Sequence, residues 1–154
     1  MKKFKIALSL LLAVIVSGML IIWKDQSYSA TDLLENANFL VENATITLHR
    51  IDTDKEDIFS EMKISKETQQ KLIQSFQQAT FKKTAIKTID YDYRMTISLN
   101  TSYPMFIDSK NKILVLLNTN ESFELIKDHT FFSLLEKATE DSQKNLSTEE
   151  LDIR

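Results

Sequence analysis

The chain has no cysteine, one glycine, one proline and one tryptophan among its 154 residues. The lack of cysteine excludes a thiol nucleophile, a disulfide framework, an iron–sulfur centre and a lipid-modified N-terminal cysteine. A domain without disulfides must hold together by its apolar core alone. The one glycine, Gly18, lies in an apolar run near the N-terminus. The rest of the chain therefore carries no phosphate-cradling loop or dinucleotide fingerprint, since both need glycine for tight turns and close backbone approach. Basic charge is also scarce. Setting aside Lys2, Lys3 and Lys5 leaves 16 basic residues against 22 acidic ones, about −6. Such a domain has no electrostatic footprint for nucleic acid and no attraction to an anionic membrane surface.

What is present begins with Ile6–Trp23, 18 residues without a charge. As a helix this run spans about 27 Å at 1.5 Å per residue, close to the hydrocarbon thickness of a bilayer. Trp23 stands where an interfacial aromatic belongs, with Lys24 and Asp25 after it. The lysines before the run predict an N-terminus inside and the remainder outside. The length favours an uncleaved signal anchor, because cleavable signals have shorter apolar regions. Ser27-Tyr28-Ser29 is the small-x-small site that cleavage would use, which would give a secreted protein instead. A buried core helix is disfavoured, because an all-apolar helix needs a large protein around it.

Hydropathy periodicity sets the expected layout. Residues 1–23 are anchor or signal peptide, 24–43 a linker with a short amphipathic helix, 44–140 an extracytoplasmic α+β domain, and 141–154 a polar tail. Leu33, Leu34, Ala37, Leu40 and Val41 recur at helical spacing over Thr31–Asn43, with Asp32 and Glu35 resembling a capping box. Ala44–Ile51 and Ile58–Ile64 alternate as two strands of a hairpin about the Asp52–Asp54 turn. Ser65 caps a helix predicted to run to about Phe81, with Leu72, Ile73, Phe76 and Ala79 inward and five glutamines, Gln69 among them, outward. Thr88–Asn100 alternates most clearly, with Tyr91, Tyr93, Met95, Ile97 and Leu99 on one side. Tyr103-Pro104 reads as a turn or edge strand. Met105–Ile107 is a short strand, followed by a turn in which Asn111 takes the left-handed conformation. Ile113–Leu117 is apolar throughout, as in a strand covered on both faces. Phe123 and Leu125 mark another strand. A last helix starts near Asp128 or Thr130 and buries Phe131, Leu134, Leu135 and Ala138. The expected fold is α+β: a mainly antiparallel sheet of about five to six strands, in the order strand-strand-helix-four strands-helix, with helices on one face.

Several residues invite a chemical reading. Asp52-Thr53-Asp54-Lys55-Glu56-Asp57 has the alternating oxygens of a calcium loop, but lacks its glycine and distal glutamate, so a solvated turn is expected. Asp90 and Asp92 share a strand face as an acid–base pair would, with Arg94 as the ordinary charge partner. His49 and His129 are the only histidines, at no metal-ligand spacing. Tyr91, Tyr93, Phe106, Phe123, Phe131 and Phe132 fall at core periods. Phe59 and Phe132 would suit partner contact if they face outward. Asn43, Asn100, Asn120 and Asn145 begin glycosylation sequons of the kind met by chance. No catalytic, cofactor-binding or metal-binding residue is assigned.

The Met1-Lys2-Lys3-Phe4-Lys5 start, the apolar run and the Lys/Ile/Asn-rich hairpin domain resemble small extracytoplasmic proteins of low-GC Gram-positive bacteria. The resemblance is one of layout and implies no particular function. The expectation is a non-enzymatic domain in the cell membrane, anchored through residues 6–23. It would bind a protein, peptide or envelope component, and not nucleic acid, through its exposed sheet face or an edge strand. An immunity-like or inhibitory protein, its acidic surface matched to a basic partner, is the second expectation. A small hydrolase is the third.

Overall fold

The computed structural model describes residues 26–85, 90–127 and 130–151, with side chains as far as Ser142. The expected anchor, Ile6–Trp23, lies outside the described residues. Among those described, no helix is long and apolar enough to cross a membrane.

The fold is α+β, with eight described strands in one antiparallel sheet and three helices. In chain order the elements are β1 (Ser27–Ser29), α1 (Ala30–Leu33), β2 (Thr45–Ile51), β3 (Phe59–Met62), α2 (Lys66–Gln78), β4 (Thr80–Thr84), β5 (Tyr93–Ser98), β6 (Ser102–Asp108), β7 (Ile113–Leu116), β8 (Glu121–Lys127) and α3 (Thr130–Leu151). Across the sheet the order is β1-β4-β8-β7-β6-β5-β2-β3. Strands β5 to β8 form consecutive hairpins, as the alternation predicts.

The sheet is larger than the expected five to six strands, because β1 and β4 are added at one side. Helix α2 stops at Gln78 rather than near Phe81, and the chain turns at once into β4. Phe81, expected to close the helix, is instead fully buried in that strand. Its ring meets Phe76 of α2 at 5.1 Å, and Phe76 meets Phe131 of α3 at 5.5 Å. These three rings clamp both helices to the sheet, and aromatic pairs add about 0.5–1.5 kcal/mol each beyond burial. Leu72, Ile73, Leu135 and Ala138 join the same core as Leu48, Met95, Ile97, Met105, Ile107, Leu114 and Leu116. One sheet face is therefore covered by α2 and α3.

The amphipathic helix expected over Thr31–Asn43 is a single turn. Ser29 is its N-cap, and Asp32 is the acidic member three residues on, so the capping box sits three residues earlier than expected. The helix ends at Leu33, since its C-cap Leu34 has already left the helical region (φ −99°, ψ 83°), and Asn36 then takes a left-handed φ of 61°. Asn100 then captures the backbone, donating to Asn36 O at 2.9 Å and accepting from Asn38 N at 2.8 Å. Leu40, expected on the buried stripe, is 88% exposed.

Pro104 lies within β6, a central strand, not at an edge or turn. Its carbonyl accepts from Leu117 N at 3.0 Å, so its ring nitrogen faces the same side, where β7 has already ended at Leu116. The missing N–H thus costs no ladder bond. In the turn after β6 the left-handed residue is Lys112 (φ 56°), not Asn111. Asn111 instead donates from N and Nδ2 to the buried Asp108 carboxylate, at 2.9 and 2.7 Å. Gln69, expected on the wet face of α2, accepts from Ile46 N at 3.1 Å and donates to Ile64 O at 3.2 Å, linking helix to sheet. Helix α3 starts as expected but continues through the expected polar tail to Leu151.

Candidate functional site

Strand alternation sends Ile46, Leu48, Met95 and Ile97 inward and their neighbours to the opposite face. Register places one row of outer-face residues across seven strands: Glu61, His49, Arg94, Phe106, Val115, Ser122 and Thr84. Val115 and Ser122, in the middle of this row, are buried. Tyr91 lies over Phe106, the rings stacked with centroids 4.9 Å apart. The outer face is thus accessible mainly over β3, β2 and β5.

That part has a defined chemistry. The Arg94 guanidinium lies 5.4 Å from the centroid of the Phe59 ring, a cation–π geometry. His49 meets the same ring edge-on at 6.5 Å. Phe59 opposite Ile51, and His49 opposite both Glu61 and Arg94, fix this cluster by register rather than by chance side-chain placement. The start of β3 is held by Asp57, whose carboxylate accepts from Phe59 N at 3.2 Å. Strand β3 is an edge, paired on one side with β2 alone. A guanidinium braced on a ring keeps its planar donors directed outward, which suits a carboxylate on a partner.

The acidic turn 52–57 is engaged locally. Lys55 bridges Asp52 at 3.2 Å, and Asp52 also accepts from Asp54 N at 3.3 Å. The Lys55 hydrogen bond and then the Asp54 N–H hold the Asp52 carboxyl below its ordinary range. Among the described residues no three histidine or acidic side chains group as metal ligands. Asp90 and Asp92 do not form a pair. Asp90 is exposed, while Asp92 accepts from Ser109 N at 3.0 Å and from the Ser109 hydroxyl, fastening the β6–β7 turn. Arg94, expected beside Asp92, stacks on Phe59 instead. His129 lies outside the described residues, as does the Asn145 side chain.

Of the aromatic set, Phe123, Phe131 and Phe132 are buried and Tyr93 packs against the core. Phe132 is thereby removed from partner contact, and Phe59 remains. Asn100 is committed to the 36–38 backbone and Asn120 to a left-handed turn (φ 56°). A separate cleft of about 460 Å³ lies between the β6–β7 turn and α3. Lys110 and Lys112 line it along with Glu136, so its charge is mixed. The Phe59–Arg94 contact was not visible in the sequence, where the two residues are far apart. Only the cross-strand register unites them.

Neither a family model, nor a curated protein, nor a solved structure matches this chain.

Proposed function

We propose that this protein is a membrane-tethered extracytoplasmic interaction domain without catalytic activity, which binds a protein or peptide partner over β3, β2 and β5. The observation that carries the reading is the Arg94 guanidinium braced on Phe59 and flanked by His49 on the face that α2 and α3 leave uncovered. Aromatic rings and arginine are the side chains that most often dominate binding energy. The short edge strand β3 adds backbone groups to the same surface.

The tether has its own support. The candidate cleavage site, Ser27-Tyr28-Ser29, is β1, paired with Lys82, Phe81 and Thr80. Tyr28 packs on Phe123 with ring centroids 5.5 Å apart, and Ser29 caps α1. Cleavage after Ser29 would remove an edge strand, an aromatic ring packed against the core and a helix cap from the fold. Retention of the N-terminal segment is the outcome consistent with this packing.

Crosslinking in intact cells tests the binding surface. Adducts formed by the unmodified chain should persist in Gln74→Ala, on the exposed side of α2, and disappear when Phe59→Ala and Arg94→Ala are combined. Adducts unchanged by the double substitution would place the contact elsewhere.

A further inference from the structure

We infer that one end of the sheet rests on the bilayer surface, with Leu40 seated among the lipid headgroups and upper acyl chains. The inference rests on the reading of residues 6–23 as an uncleaved anchor and adds which surface the membrane contacts.

Between Trp23 and Ser27, the first residue of β1, stand Lys24, Asp25 and Gln26. The four Cα–Cα steps from Trp23 to Ser27 reach about 14 Å at most. A domain leashed this tightly cannot float clear of the interface, so the end from which β1 enters must face the lipid.

The register identifies that end. Strand β1 runs antiparallel to β4, from Ser27 beside Lys82 to Ser29 beside Thr80. The chain therefore enters from the side of Thr84, which lies beside Ser122 at the start of β8. The β7–β8 turn and the β5–β6 turn are at this same end, since Met105 pairs with Leu116 and Ser98 with Ser102. Asn100, in the β5–β6 turn, binds the 36–38 backbone here, and β2 starts here with Thr45 beside Ser98. Both ends of the loop carrying Leu40 are thus fixed at the anchor-proximal end.

Leu40 is the outstanding apolar side chain of the described surface, 88% exposed, with half-buried Phe39 and Val41 on either side. Leu117, 37% exposed, sits in the β7–β8 turn at the same end. Ile58 and Ile126 are also partly exposed, but at the far end of the sheet. Lys83 at the near end is paired with Glu121, and Glu42 beside Val41 is exposed. The contact is therefore apolar and does not need anionic lipid.

The natural absence of cysteine makes single labels unambiguous. The intact chain carrying Leu40→Cys, Leu117→Cys or Ile58→Cys, each labelled with an environment-sensitive fluorophore, is reconstituted in phosphatidylcholine vesicles with acyl chains brominated near the headgroup. The inference predicts loss of emission at Leu40, partial loss at Leu117 and none at Ile58, unchanged when anionic lipid is added. Stable vesicle association with no quenching at Leu40, or with equal quenching at Ile58, overturns the docking while leaving the anchor intact. A chain that does not associate with vesicles overturns the anchor and the docking together.

Discussion

Tyr103 shows how a single side chain holds two parts of this fold together. Its ring is buried in the core, and its hydroxyl donates to Glu35 O at 2.9 Å, fastening the irregular segment after α1 to β6. Burial, and then the nearby Glu35 charge, raise the phenol above its ordinary range. Tyr103→Phe keeps the ring and deletes only the hydroxyl. It should lower unfolding stability by about 1 kcal/mol in urea denaturation. A change near zero would mean that water replaces the bond without loss. This contact was hidden in the sequence. Tyr103-Pro104 reads there as a break, because the spatial coincidence of Pro104 with the end of β7 cannot be inferred from spacing. Phe123 and Phe131, in contrast, were legible as core because period-two and helical patterns place them inward independently of neighbours.

At the scale of elements, local signals worked where packing agreed with them. Ser65 caps α2 as expected, its hydroxyl accepting from Thr68 N at 3.2 Å. Strands β5 to β8 follow their alternation. Strand β4 was missed because Thr80–Thr84 contains one apolar residue, Phe81, which also continued the helical stripe of α2. Tertiary pairing with β8 decided between the two. Strand β1 was missed because three residues carry too little pattern, and its partner is 51 or more residues away in sequence. The α1 turn ends before Leu34, whose backbone is already non-helical, and Asn100 fastens the irregular segment after it.

That single turn has a pH signature. The Asp32 carboxylate accepts from Ser29 N at 2.7 Å and from the Ser29 hydroxyl at 2.6 Å. The hydroxyl bond first, then the backbone bond, hold its pKa below the ordinary value of 3.8. A lowered folded-state pKa contributes stability above the unfolded value and loses it as pH falls through the folded one. Acidification below about pH 4 should therefore loosen α1 before the sheet. The Leu34 amide, bonded to Ala30 O at 2.9 Å, should lose exchange protection relative to β5 amides. Asp32→Ala should show the lower protection already at neutral pH. Constant relative protection across this range would show that the cap does not hold the turn.

At the scale of the whole molecule, one covered sheet face gives stability and the other provides a surface. The helices, the Phe76–Phe81–Phe131 cluster and the inward strand residues form a single core. The outer face gathers Phe59, His49 and Arg94 without contributing them to that core. The fold class, the antiparallel hairpins and the side covered by helices were readable from hydrophobic period alone. The strand order was not, because β4 and β5, neighbours in sequence, have three other strands between them in the sheet. The candidate surface was half legible. Phe59 stood out as an apolar residue on the polar side of its strand, but its partner Arg94 did not.

An outer domain that remains attached to its N-terminal segment leaves its signature in the intact mass of the mature protein. Cells are fractionated, intact cells are treated with protease, and the mass of the untreated protein is determined. The expected result is a full-length mass in the membrane fraction, with the C-terminal domain removed by external protease. A mass beginning near Thr31 in the medium would contradict it, since the protein would then leave the membrane without β1.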